Sequence, residues 1–283
     1  MASFGKRIVL SVALATVLLS AGCANLRNEE VTLDKTPPEQ IFQQAETKLT
    51  ERRGAEEAAV LFAEVERLYP YSEWAKRSAI MSAFAYHKAE LYEESRGAAQ
   101  RYLKFYPLDE DASYAQYLIA LSFYDQIDEV SRDQGITFQA LQALRQTVER
   151  YPDSEYASSA LLKFDLALDH LAGKEMAIGR FYMKKGHFGA AINRFRVVVE
   201  DFQTTTHTPE ALHRLVESYL SLGLDADAQT AGAILGHNFK STVWYNDSFV
   251  LLTGRGVSFD DANDASQGWL KKIWRQVVRG DWQ

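Results

Sequence analysis

One thiol stands in the whole chain, Cys23, and it is the side chain best placed to do chemistry. A lone cysteine excludes a disulfide framework and leaves a nucleophilic sulfur free for modification. It follows a positive pair, Lys6-Arg7, and an apolar run from Ile8 to Leu19 that is too short for an ordinary transmembrane helix. The other candidates are weaker. His87, His170, His187, His207, His213 and His237 show no ligand spacing, and His207 and His213 do not share a helical face. Carboxylates such as Glu93, Glu94, Asp109, Glu110 and Asp111 gather at expected helix ends and turns, where solvation and the helix dipole account for them. There is no nucleophile elbow, Gly-rich phosphate loop, His-Glu-x-x-His motif or cysteine pair. The sequence reads as a binder, with no catalytic residues, no metal site and no cofactor.

The run Leu19-Ser20-Ala21-Gly22-Cys23 resembles a bacterial lipobox, although Ser20 stands where leucine is more frequent. The resemblance makes residues 1–22 a lipoprotein signal peptide and Cys23 the acylated mature N-terminus, a covalent lipid that anchors without spanning. Ala24, in place of aspartate, points by resemblance to enterobacterial sorting to a lipid-anchored protein of the outer membrane, facing the periplasm. Cleavage removes Lys6 and Arg7, leaving 29 basic residues against 38 acidic ones, a net charge of −9. That balance, with no basic stripe, gives no footprint for nucleic acid. Residues 23–38 read as a polar tether ending in Thr36-Pro37-Pro38, which also starts the first helix.

Between tether and tail the chain repeats. Ala75 to Pro107 holds two helical runs separated by Glu90-Leu91-Tyr92-Glu93-Glu94 and stopped by Tyr106-Pro107. Tyr69-Pro70 and Tyr151-Pro152 end helices in the same way, and Phe202 and Phe239 do so without proline. These closing aromatics lie 37, 45, 51 and 37 residues apart. Eleven positions before each sits a small residue, Ala58, Ser95, Ala140, Ala191 or Ala228, and twenty before three of them sits Tyr86, Tyr182 or Tyr219. Small residues let helices approach and aromatics fill the gap beside them. The spacing predicts an all-α, tetratricopeptide-like helical solenoid of five helix pairs.

The pairs are expected at Glu39–Arg53 with Ala55–Tyr69, across Ala75–Pro107, at Asp109–Asp128 with Ile136–Tyr151, at Ser154 to about Lys185 with the helix ending at Phe202, and at Pro209–Leu222 with Asp225–Phe239. The third unit is enlarged by a polar link at Glu129–Gly135, and the fourth by a long helix, bent near Gly173 or Gly179. These lengths suggest N-terminal repeats 1–3 over 39–152 and C-terminal repeats 4–5 over 153–239. Residues 240–283 form a cap from Ser241 to Thr253, a polar stretch, and an amphipathic end. In that end Trp269, Leu270, Ile273, Trp274, Val277 and Val278 share one face and Lys271, Lys272, Arg275 and Arg279 the other. It suits a membrane surface, a partner, or the repeats themselves. First helices of a solenoid line its concave side, so Tyr86, Tyr114, Tyr117 and Tyr124 form a candidate surface for an extended apolar or aromatic peptide.

Lipobox, five repeats, enlarged third and fourth units, and the Tyr69-Pro70-Tyr71-Ser72 and Tyr151-Pro152-Asp153-Ser154-Glu155-Tyr156 turns together resemble the BamD (ComL) lipoprotein family from about Pro37 to Phe239. The resemblance implies a non-catalytic scaffold of the outer-membrane β-barrel assembly (BAM) complex. Its implied partners are the POTRA region of the barrel subunit BamA, other BAM lipoproteins, and unfolded barrel precursors. It carries the family's Asn-Arg pair, whose arginine supports the BamA contact, onto Asn193 and Arg194. Phe202-Gln203 departs from the family's tyrosine-proline turn, and the tail from Gly254 lies beyond the match. A pilot lipoprotein for a secretin or pilus system would share the fold and anchor but not the partner.

Overall fold

The structure is a computed structural model that describes residues 33–127 and 134–257. The signal peptide, Cys23, most of the Glu129–Gly135 link and the amphipathic end lie outside those residues. Eleven α-helices and no strand occur among them. They are α1 Pro38–Thr50, α2 Ala55–Leu68, α3 Glu73–Lys88, α4 Tyr92–Phe105, α5 Ala112–Tyr124, α6 Gly135–Arg150, α7 Glu155–Lys184, α8 Phe188–Asp201, α9 Thr208–Ser221, α10 Asp225–Asn238 and α11 Val243–Gly254. Consecutive helices through α10 make the five expected pairs, so the fold is an all-α tetratricopeptide-like repeat. Two compact units divide at Ser82/Ala83, inside α3.

In the first unit, Pro38 occupies the first helical turn of α1, where a missing N–H costs nothing. Ile41, Phe42 and Ala45 from α1 are buried, as are Ala58, Ala59, Phe62 and Val65 from α2. The Phe42 ring meets Phe62 edge-on at 5.1 Å and Trp74 at 5.0 Å. The turn at Gly54 is tight: a Cβ there would stand 2.0 Å from the Lys48 carbonyl oxygen, so only glycine fits.

Two recurring turns build the repeat. The closing aromatics Tyr69, Tyr106, Tyr151, Phe202 and Phe239 all adopt φ between −127° and −136°, with ψ between 34° and 57°. Each carbonyl accepts from the N–H three residues on, at Ser72, Asp109, Ser154, Thr205 and Thr242. In four of the five the hydroxyl at that position also donates to the same carbonyl, at 2.7–2.8 Å. Phe202-Gln203 therefore makes the same turn as the tyrosine-proline pairs, without proline.

The second turn joins the helices of a pair. Leu91, His187 and Leu224 donate their N–H at 3.0 Å to the carbonyls of Tyr86, Tyr182 and Tyr219, five residues back. This is the Schellman ending, which needs a left-handed residue just before the donor. Gly186 and Gly223 supply it at φ 75° and 73°, whereas Glu90 is forced to φ 62°.

The five small residues Ala58, Ser95, Ala140, Ala191 and Ala228 are fully buried. Ser95 Oγ donates to the Ala83 carbonyl at 2.9 Å and accepts from Ser122 Oγ at 3.2 Å, so its hydroxyl is satisfied inside the core. The long fourth-repeat helix is real: α7 runs 30 residues without interruption. The two glycines near which a bend was expected mark close approaches. A Cβ at Gly179 would sit 2.4 Å from the Phe195 ring, and one at Gly173 would sit 3.1 Å from His207 Nε2.

The expected cap is helix α11, which packs on α9 and α10. Its buried Ser248 and His213 of α9 are joined Oγ to Nδ1 at 2.8 Å, and Trp244 lies 5.4 Å from the same imidazole. Burial holds the His213 pKa below its ordinary 6.5, outweighing the nearby Glu217 carboxylate, which pulls it up.

Two outcomes follow from these turns and caps. Glu90→Gly relieves a left-handed glutamate and should stabilise the chain by about 0.5–1 kcal/mol, a rise of roughly 1–4 °C in Tm. An unchanged or lower melting temperature would contradict the strain at Glu90. Because the folded pKa of His213 is depressed, the unfolded chain takes up a proton first as pH falls below 6.5. Stability should be full above that pH and decline below it, and His213→Asn should flatten this part of a urea-midpoint profile.

Candidate functional site

Helix α8 buries Ala191, Ile192, Phe195, Val198 and Val199 against its neighbours, a stripe at helical spacing. That register turns Asn193 to solvent and leaves Arg194 and Val197 at the edge. On α7, Glu175, Gly179 and Tyr182 share one face by their spacing of four and three. Gly179 lets the Phe195 ring lie against the α7 backbone, which brings the two edges together. Tyr182, Ala190, Asn193, Arg194 and Val197 then line a groove of about 240 Å³.

Arg194 is held rather than loose. Its Nη1 donates to Glu175 Oε2 at 3.1 Å, with the arginine side chain 43% exposed and the glutamate 17%. A guanidinium has five N–H donors in a planar fork, so one bond orients it and leaves others for a second carboxylate. The groove combines this fork, an exposed carboxamide and the half-buried Tyr182 beside an aliphatic wall. It can recognise an acidic side chain set in an apolar segment.

The other sequence candidates divide. Tyr117 is buried and its ring stacks on Tyr156 of α7 at 5.3 Å, with 27° between the planes. Tyr114 meets the same Tyr156 at 5.1 Å. Burial raises the hydroxyl pKa of Tyr114 and of Tyr156 to about 12, so both stay neutral hydrogen-bonding tips. Tyr124 is half-buried beneath the Lys163 ammonium, 4.7 Å from its ring centre, and packs on Leu141, Ala167 and Leu171. Tyr86 is half-buried on α3. Tyr114, Tyr117 and Tyr124 are thus packing residues first. Tyr114 and Tyr124 keep an accessible edge, and Tyr117 does not.

Sequence reasoning missed Glu175 and Val197, and it read Tyr156 only as part of a turn, not as the ring that meets Tyr114 and Tyr117. Glu175 precedes Arg194 by nineteen residues across a turn, so its pairing shows only once the α7–α8 register is known. A second groove of about 460 Å³ lies along α7 beside Asp169, Gly173 and His207. Asp169 there serves the fold, since its Oδ1 accepts from both N and Oγ1 of Thr206 at 2.9 and 2.7 Å. Among the described residues no group of three His, Cys, Asp or Glu could hold a metal, and no helix is long and apolar enough to cross a membrane.

With that geometry in place, the comparisons with known proteins are specific. The family model described as outer membrane lipoprotein (YfiO) matches residues 34–234. A protein of Caulobacter vibrioides named outer membrane protein assembly factor BamD is 46% identical over 250 residues, 87% of this chain and 82% of the relative. The protein of that name in Rickettsia prowazekii is 36% identical over 244 residues, 86% of this chain and 96% of its own. One from Neisseria meningitidis serogroup A is 29% identical over 251 residues.

Gly179→Ala should cost about 1–3 kcal/mol in urea unfolding, because the new methyl must displace the Phe195 ring. Gly189→Ala, on α8 with nothing within 4 Å of its Cβ, should be neutral or stabilising. Equal effects would mean that the close approach does not set the α7–α8 contact.

Proposed function

The chain belongs to the BamD family of outer membrane lipoproteins, and from that premise we propose that it is a non-catalytic scaffold for barrel assembly. In this reading the α7–α8 groove grips the POTRA region of a BamA-like barrel subunit, with Arg194 as the charged anchor and Asn193 beside it. The observation that carries it is the Glu175–Arg194 pair: a partly exposed guanidinium, fixed in direction at the mouth of an apolar groove. Pre-orientation lowers the entropy cost of docking a partner carboxylate. The α5–α7 tyrosines, through the free edges of Tyr114 and Tyr124, offer a neutral aromatic surface to unfolded barrel precursors. Other lipoproteins of the complex are further partners.

Cys23, acylated at the mature N-terminus, attaches the chain to the outer membrane with its repeats in the periplasm. The curated relatives named above are assembly factors, which favours this reading over a secretin pilot.

The test is recovery of partners from gently solubilised outer membranes through a C-terminal affinity handle on the chain. The unaltered protein should bring down a POTRA-containing barrel subunit in near-equal amount. Arg194→Ala should reduce that recovery at least tenfold, about 1.4 kcal/mol or more, with Tm held within about 2 °C. Glu175→Gln should lose less, since the fork survives and only its orientation is relaxed. Full recovery with a folded Arg194→Ala protein would remove the groove from the interface. Absence of any barrel subunit from the unaltered sample would remove the scaffold reading itself.

A further inference from the structure

Helix α11 ends in a turn that the described residues otherwise use to join the two helices of a pair. Gly256 is left-handed at φ 74°, and the Val257 N–H donates at 3.0 Å to the Leu252 carbonyl five residues back. Gly186 and Gly223 do the same after α7 and α9, and Glu90 does so after α3. In those three places the second helix of the pair begins two residues after the left-handed residue, at Tyr92, Phe188 or Asp225. By its own backbone, then, α11 finishes in the manner of those first helices.

Its surface agrees. The first helix α9, packed against α8, α10 and α11, buries nine residues, while α11 buries only Ser248 and Leu252. Yet α11 is apolar nearly all round, the pattern of a helix with no solvent face. Val243 is 59% exposed, Phe249 43%, Val250 67% and Leu251 38%. Asp247 is exposed among them.

The chain does not stop there. Residues 258–283 follow Val257, and within them Trp269, Leu270, Ile273, Trp274, Val277 and Val278 recur at helical spacing, with Lys271, Lys272, Arg275 and Arg279 between. We propose that this apolar stripe, from the chain's own C-terminal segment, covers the outer face of α11. The reach is sufficient. Ser258 to Gly268 is eleven residues, up to about 36 Å extended, against about 18 Å for the length of α11. A tether that short holds the stripe at millimolar effective concentration, well above what a second copy in solution would provide. The basic residues flanking the stripe suit Asp247.

The experiment uses the full mature chain with Cys23→Ser, which leaves Val250→Cys as its one thiol. Maleimide labelling of that thiol should be at least tenfold slower than in the same chain carrying Ile273→Asp and Trp274→Asp. Equal rates would overturn the proposal. So would slowing that appears only with anionic lipid vesicles or only as protein concentration rises, which would assign the face to a membrane surface or a second copy. Should Val250→Cys fail to fold by circular dichroism, hydrogen exchange at the α11 amides reads the same question. Protection should fall on adding only Ile273→Asp and Trp274→Asp, and unchanged protection would overturn the proposal.

Discussion

The structure depends on helices approaching closely at one small residue per pair. Ala58, Ser95, Ala140, Ala191 and Ala228 have no accessible surface, and a larger side chain at any of them would push neighbouring helices apart. Interiors packed to crystal density have no slack for that, so the constraint propagates into both recurring turns. The turns in turn are local: each is closed by its own backbone bonds within six residues. Long-range contact sets where helices lie, and short-range bonding sets where they stop.

Much of this was legible in the sequence because it is local and periodic. Helix ends fell within a few residues of expectation at Gly54, Leu68, Arg150, Asn238 and Asp225, where glycine, aromatics or acids leave direct signals. Proline drew attention at three closing turns, yet Phe202 and Phe239 reach the same geometry with a hydroxyl three residues on. Aromatic-x-x-Ser/Thr was the fuller signal. The first helix of the third pair starts at Ala112 rather than Asp109, because Asp109 is used by the turn and accepts the Tyr102 hydroxyl at 2.6 Å.

The candidate site was only partly legible. Asn193 and Arg194 came from resemblance, and their position on α8 could be read from the apolar stripe. The partner Glu175 could not, since a salt bridge between helices depends on register and on the absent Cβ at Gly179. The tyrosine surface fared differently for a related reason. Helical spacing places Tyr117 on a face but does not say that Tyr156, two helices later, will lie on it. Aromatic rings suit both core and ligand, and composition alone does not separate the two.

Helix α7 has a mechanical meaning beyond its length. One end carries Tyr156 in the aromatic stack and the other carries Tyr182 at the groove, 26 residues or about 39 Å apart on an uninterrupted rod. A joint between them would let each surface adjust to its own guest. Without one, the two are the ends of a strut. A tilt imposed at the groove must be carried to the tyrosines, so the unit presents a fixed span between its two surfaces, like a ruler rather than a hinge.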